Sequence, residues 1–94
     1  MKVRFKSTFT IKLSEQIEYI SKDSPNKAKE FSSELLLSIE QLKSFPYSNR
    51  KSIYFDDNEI RDLIYKGYTI TYYINTKDNY IDVFGFTKYR NSID

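Results

Sequence analysis

Fifteen consecutive residues, Ile60-Arg61-Asp62-Leu63-Ile64-Tyr65-Lys66-Gly67-Tyr68-Thr69-Ile70-Thr71-Tyr72-Tyr73-Ile74, leave this chain the least conformational choice. After Gly67 the pattern alternates: Tyr68, Ile70, Tyr72 and Ile74 share one side, while Thr69, Thr71, Tyr73 and Asn75 share the other. A period of two belongs to a strand, because successive side chains point to opposite faces. Two strand-like runs joined by Lys66-Gly67 make a β-hairpin, glycine supplying the positive φ of a tight turn. A hairpin alone is marginal in water, so the rest of the chain must supply a layer to cover it.

That layer is helical. Phe9, Leu13, Ile17 and Ile20 recur at spacings of four, four and three, an apolar stripe on one side of a helix. Ser7 or Thr8 is the candidate cap at its start, and Ser21-Lys22-Asp23 ends it. Ser24-Pro25 restarts a helix, with Ser at the N-cap and Pro where its missing N–H costs nothing. Ala28, Phe31, Leu35, Ile39 and Leu42 then repeat the stripe, widened by Leu36, up to a stop at Phe45-Pro46. So short a link predicts an antiparallel helical hairpin.

Lys2 to Lys6 alternates Val3 and Phe5 with basic residues and reads as a short opening strand. Strands are expected near 59–66, 68–76 and 80–87, after a Pro46–Asp57 loop pinned to the core by Ile53-Tyr54-Phe55. The order is β-α-α-β-β-β in a single α+β domain spanning 1–94: an antiparallel sheet with a helical hairpin on one face. The covered face should take Val3, Phe5, Tyr68, Ile70, Tyr72, Ile81 and Val83. The open face should show Thr69, Thr71, Tyr73, Phe84 and Phe86, an apolar patch that either meets a partner or lies under the 46–57 loop or the C-terminal tail.

Composition narrows the chemistry. Ninety-four residues suit one domain, and the chain lacks both cysteine and histidine. Thiolate zinc sites, disulfides and the usual neutral-pH general base are excluded. Any catalysis would fall to Arg, Lys, Tyr, Asp or Glu, and no metal or small-molecule cofactor is expected. The net charge of +2 is too small to indicate nucleic acid by itself. Lys2, Arg4, Lys6 and Lys12 at one end and Lys88 and Arg90 at the other would form a basic patch if the two ends meet. No apolar run approaches a membrane span and no signal-peptide core follows Met1, so a cytoplasmic location is expected.

The element order, the Asp23-Ser24-Pro25-x-x-Ala28 junction, the Leu42-x-x-x-Pro46 exit, Ile60-Arg61-x-Leu63 and Tyr68-x-Ile70-x-Tyr72 together resemble toxins of the RelE/ParE superfamily, over nearly the whole chain. The resemblance implies the toxin of a bacterial two-gene module, silenced by a cognate antitoxin that wraps it with an extended or helical segment. One branch cuts ribosome-bound mRNA and another poisons DNA gyrase. The ribonuclease branch commonly carries an Arg after the tyrosine that opens the middle strand, where this chain has Thr69. Its preceding strand is often basic, where this chain has Ile60 and Asp62. Lys88, Tyr89 and Arg90 could serve catalysis, aided by Arg50 or Lys51, but the set is incomplete.

The Ile-Arg-x-Leu strand looks more like the ParE, or plasmid-stabilisation, group. Arg61 would then pair with an acid such as Asp82 or Glu59, or stand at an interface. The expectation is a ParE-like toxin that binds a macromolecular target, with gyrase the first candidate. The alternatives are a RelE-like endoribonuclease and a decayed module that binds antitoxin without toxicity. Antitoxin or target contacts are expected from Arg61, Tyr73, Phe84, Phe86, Arg50 and Lys51, by helix packing or by an added edge strand.

Overall fold

The computed structural model describes residues 1–88. It opens with β1 (Lys2–Phe5), α1 (Ser7–Asp23) and α2 (Pro25–Glu40), with a single 3-10 turn at Gln41–Lys43. Four strands follow: β2 (Arg50–Lys51), β3 (Ile60–Tyr65), β4 (Tyr68–Asn75) and β5 (Tyr80–Lys88). The described strands form one sheet in the order β1-β5-β4-β3-β2. This is the expected α+β order, with two differences in the sheet. β1 pairs with β5 in parallel, Lys2 beside Tyr80 and Phe5 beside Val83, so the sheet is mixed. The expected loop also contributes a fifth strand, with Arg50 opposite Asp62 and Lys51 opposite Arg61.

The helical hairpin forms for the reasons visible in its sequence. The Ser24 side chain accepts a hydrogen bond from the Lys27 amide, and Pro25 begins α2. Phe9, Leu13, Phe31, Leu35, Ile39 and Leu42 pack against Tyr68, Ile70, Tyr72, Ile74, Ile81 and Val83 in one buried core. At the start of α1 neither Ser7 nor Thr8 is the cap; that position falls to Lys6, without a side-chain bond. The Thr8 hydroxyl donates instead to the Phe84 carbonyl at 2.6 Å, fastening the helix to the last strand. Lys66 and Gly67 have φ of +45° and +83°, the two positive values that a tight hairpin turn needs.

The register of β5 changes halfway along. Val83 faces Tyr72, but Gly85 faces Thr71, so Phe84 is an extra residue at a bulge. Strict alternation would place Phe86 on the open face. The bulge reverses the parity and sends Phe86 into the core, 6% exposed, against Phe9 and Tyr68. Phe5, expected to be buried, is 42% exposed and stacks on Phe9 at the rim. Of the basic ends, Lys2 and Lys88 stand apart, and Arg90 lies outside the described residues. Lys2 lies beside Tyr80, whereas Lys88 pairs with Tyr68 at the far end of β5. Arg4 is occupied by Asp82 and Asp78. No helix among the described residues is long and apolar enough to cross a membrane.

Candidate functional site

The face of the sheet away from the helices is partly covered by the chain's own loop. After α2 the chain passes the edge of β3 and is held there by two side chains from the strands. The Tyr72 hydroxyl, fully buried, donates to the Pro46 carbonyl at 2.6 Å and accepts from Asn49 Nδ2 at 3.2 Å. Burial pushes that hydroxyl's pKa up, and so keeps it a proton donor. Arg61 gives Nε and Nη2 to the Asn58 carbonyl and side chain, and Nη1 to the carbonyls of Asn49 and Tyr47. Its guanidinium also lies 5.1 Å from the Tyr47 ring. Arg61 is thus a loop clamp that holds backbone carbonyls, and it pairs with neither Asp82 nor Glu59. The Tyr47 hydroxyl bonds Glu59, which raises the tyrosine's pKa.

Beyond β2 the segment 52–55 crosses the open face as a strap. Its anchor is Asp62, whose side chain is completely buried. Oδ1 accepts from the Thr71 hydroxyl at 3.0 Å; Oδ2 accepts from the Ile53 amide at 3.3 Å and Arg50 Nη2 at 3.4 Å. A buried carboxylate needs such donors, since leaving it unpaired costs several kcal/mol, of order 3–5. Ser52, also buried, accepts from the Tyr54 amide. Phe55 meets Phe84 edge to face, 5.6 Å between ring centres. The strap therefore covers Phe84, Thr69 and Thr71. Ile53, Tyr54 and Phe55 are not sunk in the core as expected; they remain 67%, 55% and 42% exposed.

Between this strap and the β3–β4 turn runs a groove lined by Arg50, Ile53, Tyr54, Ile64, Gly67 and Thr69. Thr69 stands there where the ribonuclease resemblance would place an arginine. Residues opposite one another in a ladder share a face, which separates the cations proposed for catalysis. Arg50 lies opposite Asp62 and belongs to the strap side. Lys51 lies opposite Arg61 and bonds Asp56 at 3.3 Å, and Lys88 lies opposite Tyr68; both positions belong to the helix-side set. Arg50, Lys51 and Lys88 therefore do not gather around one phosphate. Tyr89 and Arg90 lie outside the described residues. Tyr73 projects from the open face, 36% exposed, whereas Phe86 is core and is withdrawn from the contact surface. Among the described residues no three carboxylates come together in a metal-binding arrangement.

The anchor at Asp62 escaped sequence reading, as did the roles of Ser52, Asn49 and Tyr72. An aspartate centred in a strand was the one available signal, since such a charge must find partners once buried.

A helical hairpin packed on one face of a mixed sheet, with a clamped strap on the other, defines a RelE/ParE-type α+β domain. The chain belongs to the ParE toxin family of type II toxin-antitoxin systems, whose family model (parDE) matches residues 3–90. It is accordingly a type II toxin, and membership implies an antitoxin partner. No curated protein matched the chain significantly.

Proposed function

We propose that this toxin arrests growth by binding a macromolecular target rather than by cutting RNA, with DNA gyrase as that target, and that its cognate antitoxin neutralises it by direct binding. The observation that supports binding over cleavage is the face around Asp62. A cleavage site must stabilise the extra negative charge of a phosphorane. Here a carboxylate stands at the centre, Arg50 is the one cation lining the groove beside it among the described residues, and isoleucine and tyrosine supply the wall.

Purified toxin should inhibit gyrase-catalysed supercoiling of relaxed plasmid, and added antitoxin should relieve the inhibition. Primer extension on mRNA after induction should show no new cuts within codons. Codon-phased cuts with gyrase unaffected would overturn the proposal in favour of the ribonuclease. Unimpaired growth on strong expression without antitoxin would leave only a non-toxic antitoxin-binding module.

A further inference from the structure

We infer that the groove between the strap and the β3–β4 turn is a specificity pocket for the antitoxin, taking an aliphatic side chain next to a carboxylate, with the carboxylate seated on Arg50. The inference rests on the reading that the antitoxin neutralises this chain by direct binding. Three of the large exposed apolar residues, Ile53, Tyr54 and Ile64, lie around this one groove, 67%, 55% and 51% exposed. Gly67 keeps the groove open: nothing lies within 4 Å of where its Cβ would stand. An aliphatic side chain entering here removes apolar surface from water on both partners, at about 25 cal/mol per Å².

Charge selects the rest of the occupant. Among the described residues, Arg50 is the one ionised side chain lining the groove. Its side chain is 48% exposed, and among the described residues its partner is Asp62, at a long 3.4 Å through Nη2 alone. A guanidinium has five donors in a planar fork, so most of this fork remains for an incoming carboxylate, which it can grip with two parallel bonds. A phosphate of RNA carries the same charge as a carboxylate and would meet the same arginine, but the hydrophilic sugar-phosphate backbone on either side of it has nothing to place against the apolar wall of Ile53, Tyr54 and Ile64. An acidic, aliphatic protein segment satisfies both halves of the groove. RNA satisfies the arginine alone.

The test uses the antitoxin encoded beside the toxin gene, purified and titrated against full-length toxin. Arg50→Glu and Ile64→Lys should each weaken binding by about tenfold or more, while circular dichroism shows an unchanged fold. Arg50→Lys should lose less than Arg50→Glu, because it keeps the charge and gives up the fork. Leu37→Ala, on the exposed side of α2, should leave affinity within about twofold, as remote surface changes do. Unchanged affinity in folded Arg50→Glu and Ile64→Lys overturns the pocket. So does a change in dimerisation of the toxin with antitoxin affinity intact, which would make a second copy the occupant. If either variant fails to fold, hydrogen exchange of the wild-type complex decides: residues 53–55 and 64–69 must gain protection when antitoxin binds. Loss of the gyrase effect would refute the target and leave this pocket standing. Failure of wild-type toxin to bind the antitoxin would refute the neutralisation itself.

Discussion

Gly85 has no side chain because Thr71 occupies the space one would need. A Cβ built there falls 2.9 Å from Thr71 Cβ and 3.2 Å from its hydroxyl, closer than ordinary contact allows. That hydroxyl also donates to buried Asp62, so any shift of Thr71 loosens the strap's anchor. Gly85→Ala should therefore cost about 1–3 kcal/mol, as overpacking does. In a domain of this size each kcal/mol lowers the melting temperature by roughly 4–8 °C. Thermal unfolding by circular dichroism measures it, and a melting point within about 1 °C of wild type would show that the clash relaxes freely. At this scale the sequence was a partial guide. It marked Arg61 as a lone strand arginine with a structural task, but not its partners, because backbone carbonyls carry no residue signature. Asp62 was visible as a charge hostile to phosphate; the donors from the strap that make its burial tolerable were not.

The helices and the central strand β4 were legible because each follows a single period over many residues. Ser24-Pro25 marked a boundary through local chemistry that tertiary contacts did not disturb. Two elements were not legible. The Arg50–Lys51 strand is too short to show a period, and the bulge in β5 breaks the period on which the assignment of Phe84 and Phe86 depended. One inserted residue reverses the face of everything after it. The two phenylalanines should consequently behave differently when made acidic. Phe86→Asp buries a charge between Phe9 and Tyr68 and forfeits an aromatic worth about 3–5 kcal/mol, enough to unfold a small domain. Phe84→Asp removes only the edge contact with Phe55, so the domain should fold while the strap detaches. Far-ultraviolet circular dichroism of the pair, with hydrogen exchange of residues 52–55, distinguishes them. Equal loss of structure in both variants would mean that the strap contact belongs to the cooperative core.

One edge of the sheet is made by β1 docking on β5, and Arg4 fastens that docking. Arg4 Nε donates to Asp82 Oδ1 at 2.6 Å and Nη2 to Oδ2 at 3.1 Å, joining residues 78 positions apart. The guanidinium also lies 4.1 Å from the Tyr80 ring and 3.6 Å from Asp78. Such a contact exists only while β1 is docked, so it opposes the fraying of this terminal edge strand. The Arg4 hydrogen bond, helped by Asn75 and the charge of Arg4 and Lys6, holds the Asp82 carboxyl below its ordinary value against the opposing effect of burial. A depressed folded pKa means that the unfolded chain binds the proton more readily. The stabilisation is therefore complete above about pH 4, the ordinary aspartate range, and is lost as pH falls from there through the lower folded value. Arg4 is 36% exposed in its side chain, so water moderates the pair, and Asp82→Asn should cost about 1–3 kcal/mol at neutral pH. The variant should also flatten the acid limb of stability against pH, because its amide no longer titrates. Urea unfolding from pH 7 down to pH 2 measures both effects. An acid limb as steep in Asp82→Asn as in wild type would assign the acid sensitivity to other carboxylates, Glu34 first among them, whose pKa is also lowered by its bonds to Lys66 and Tyr65.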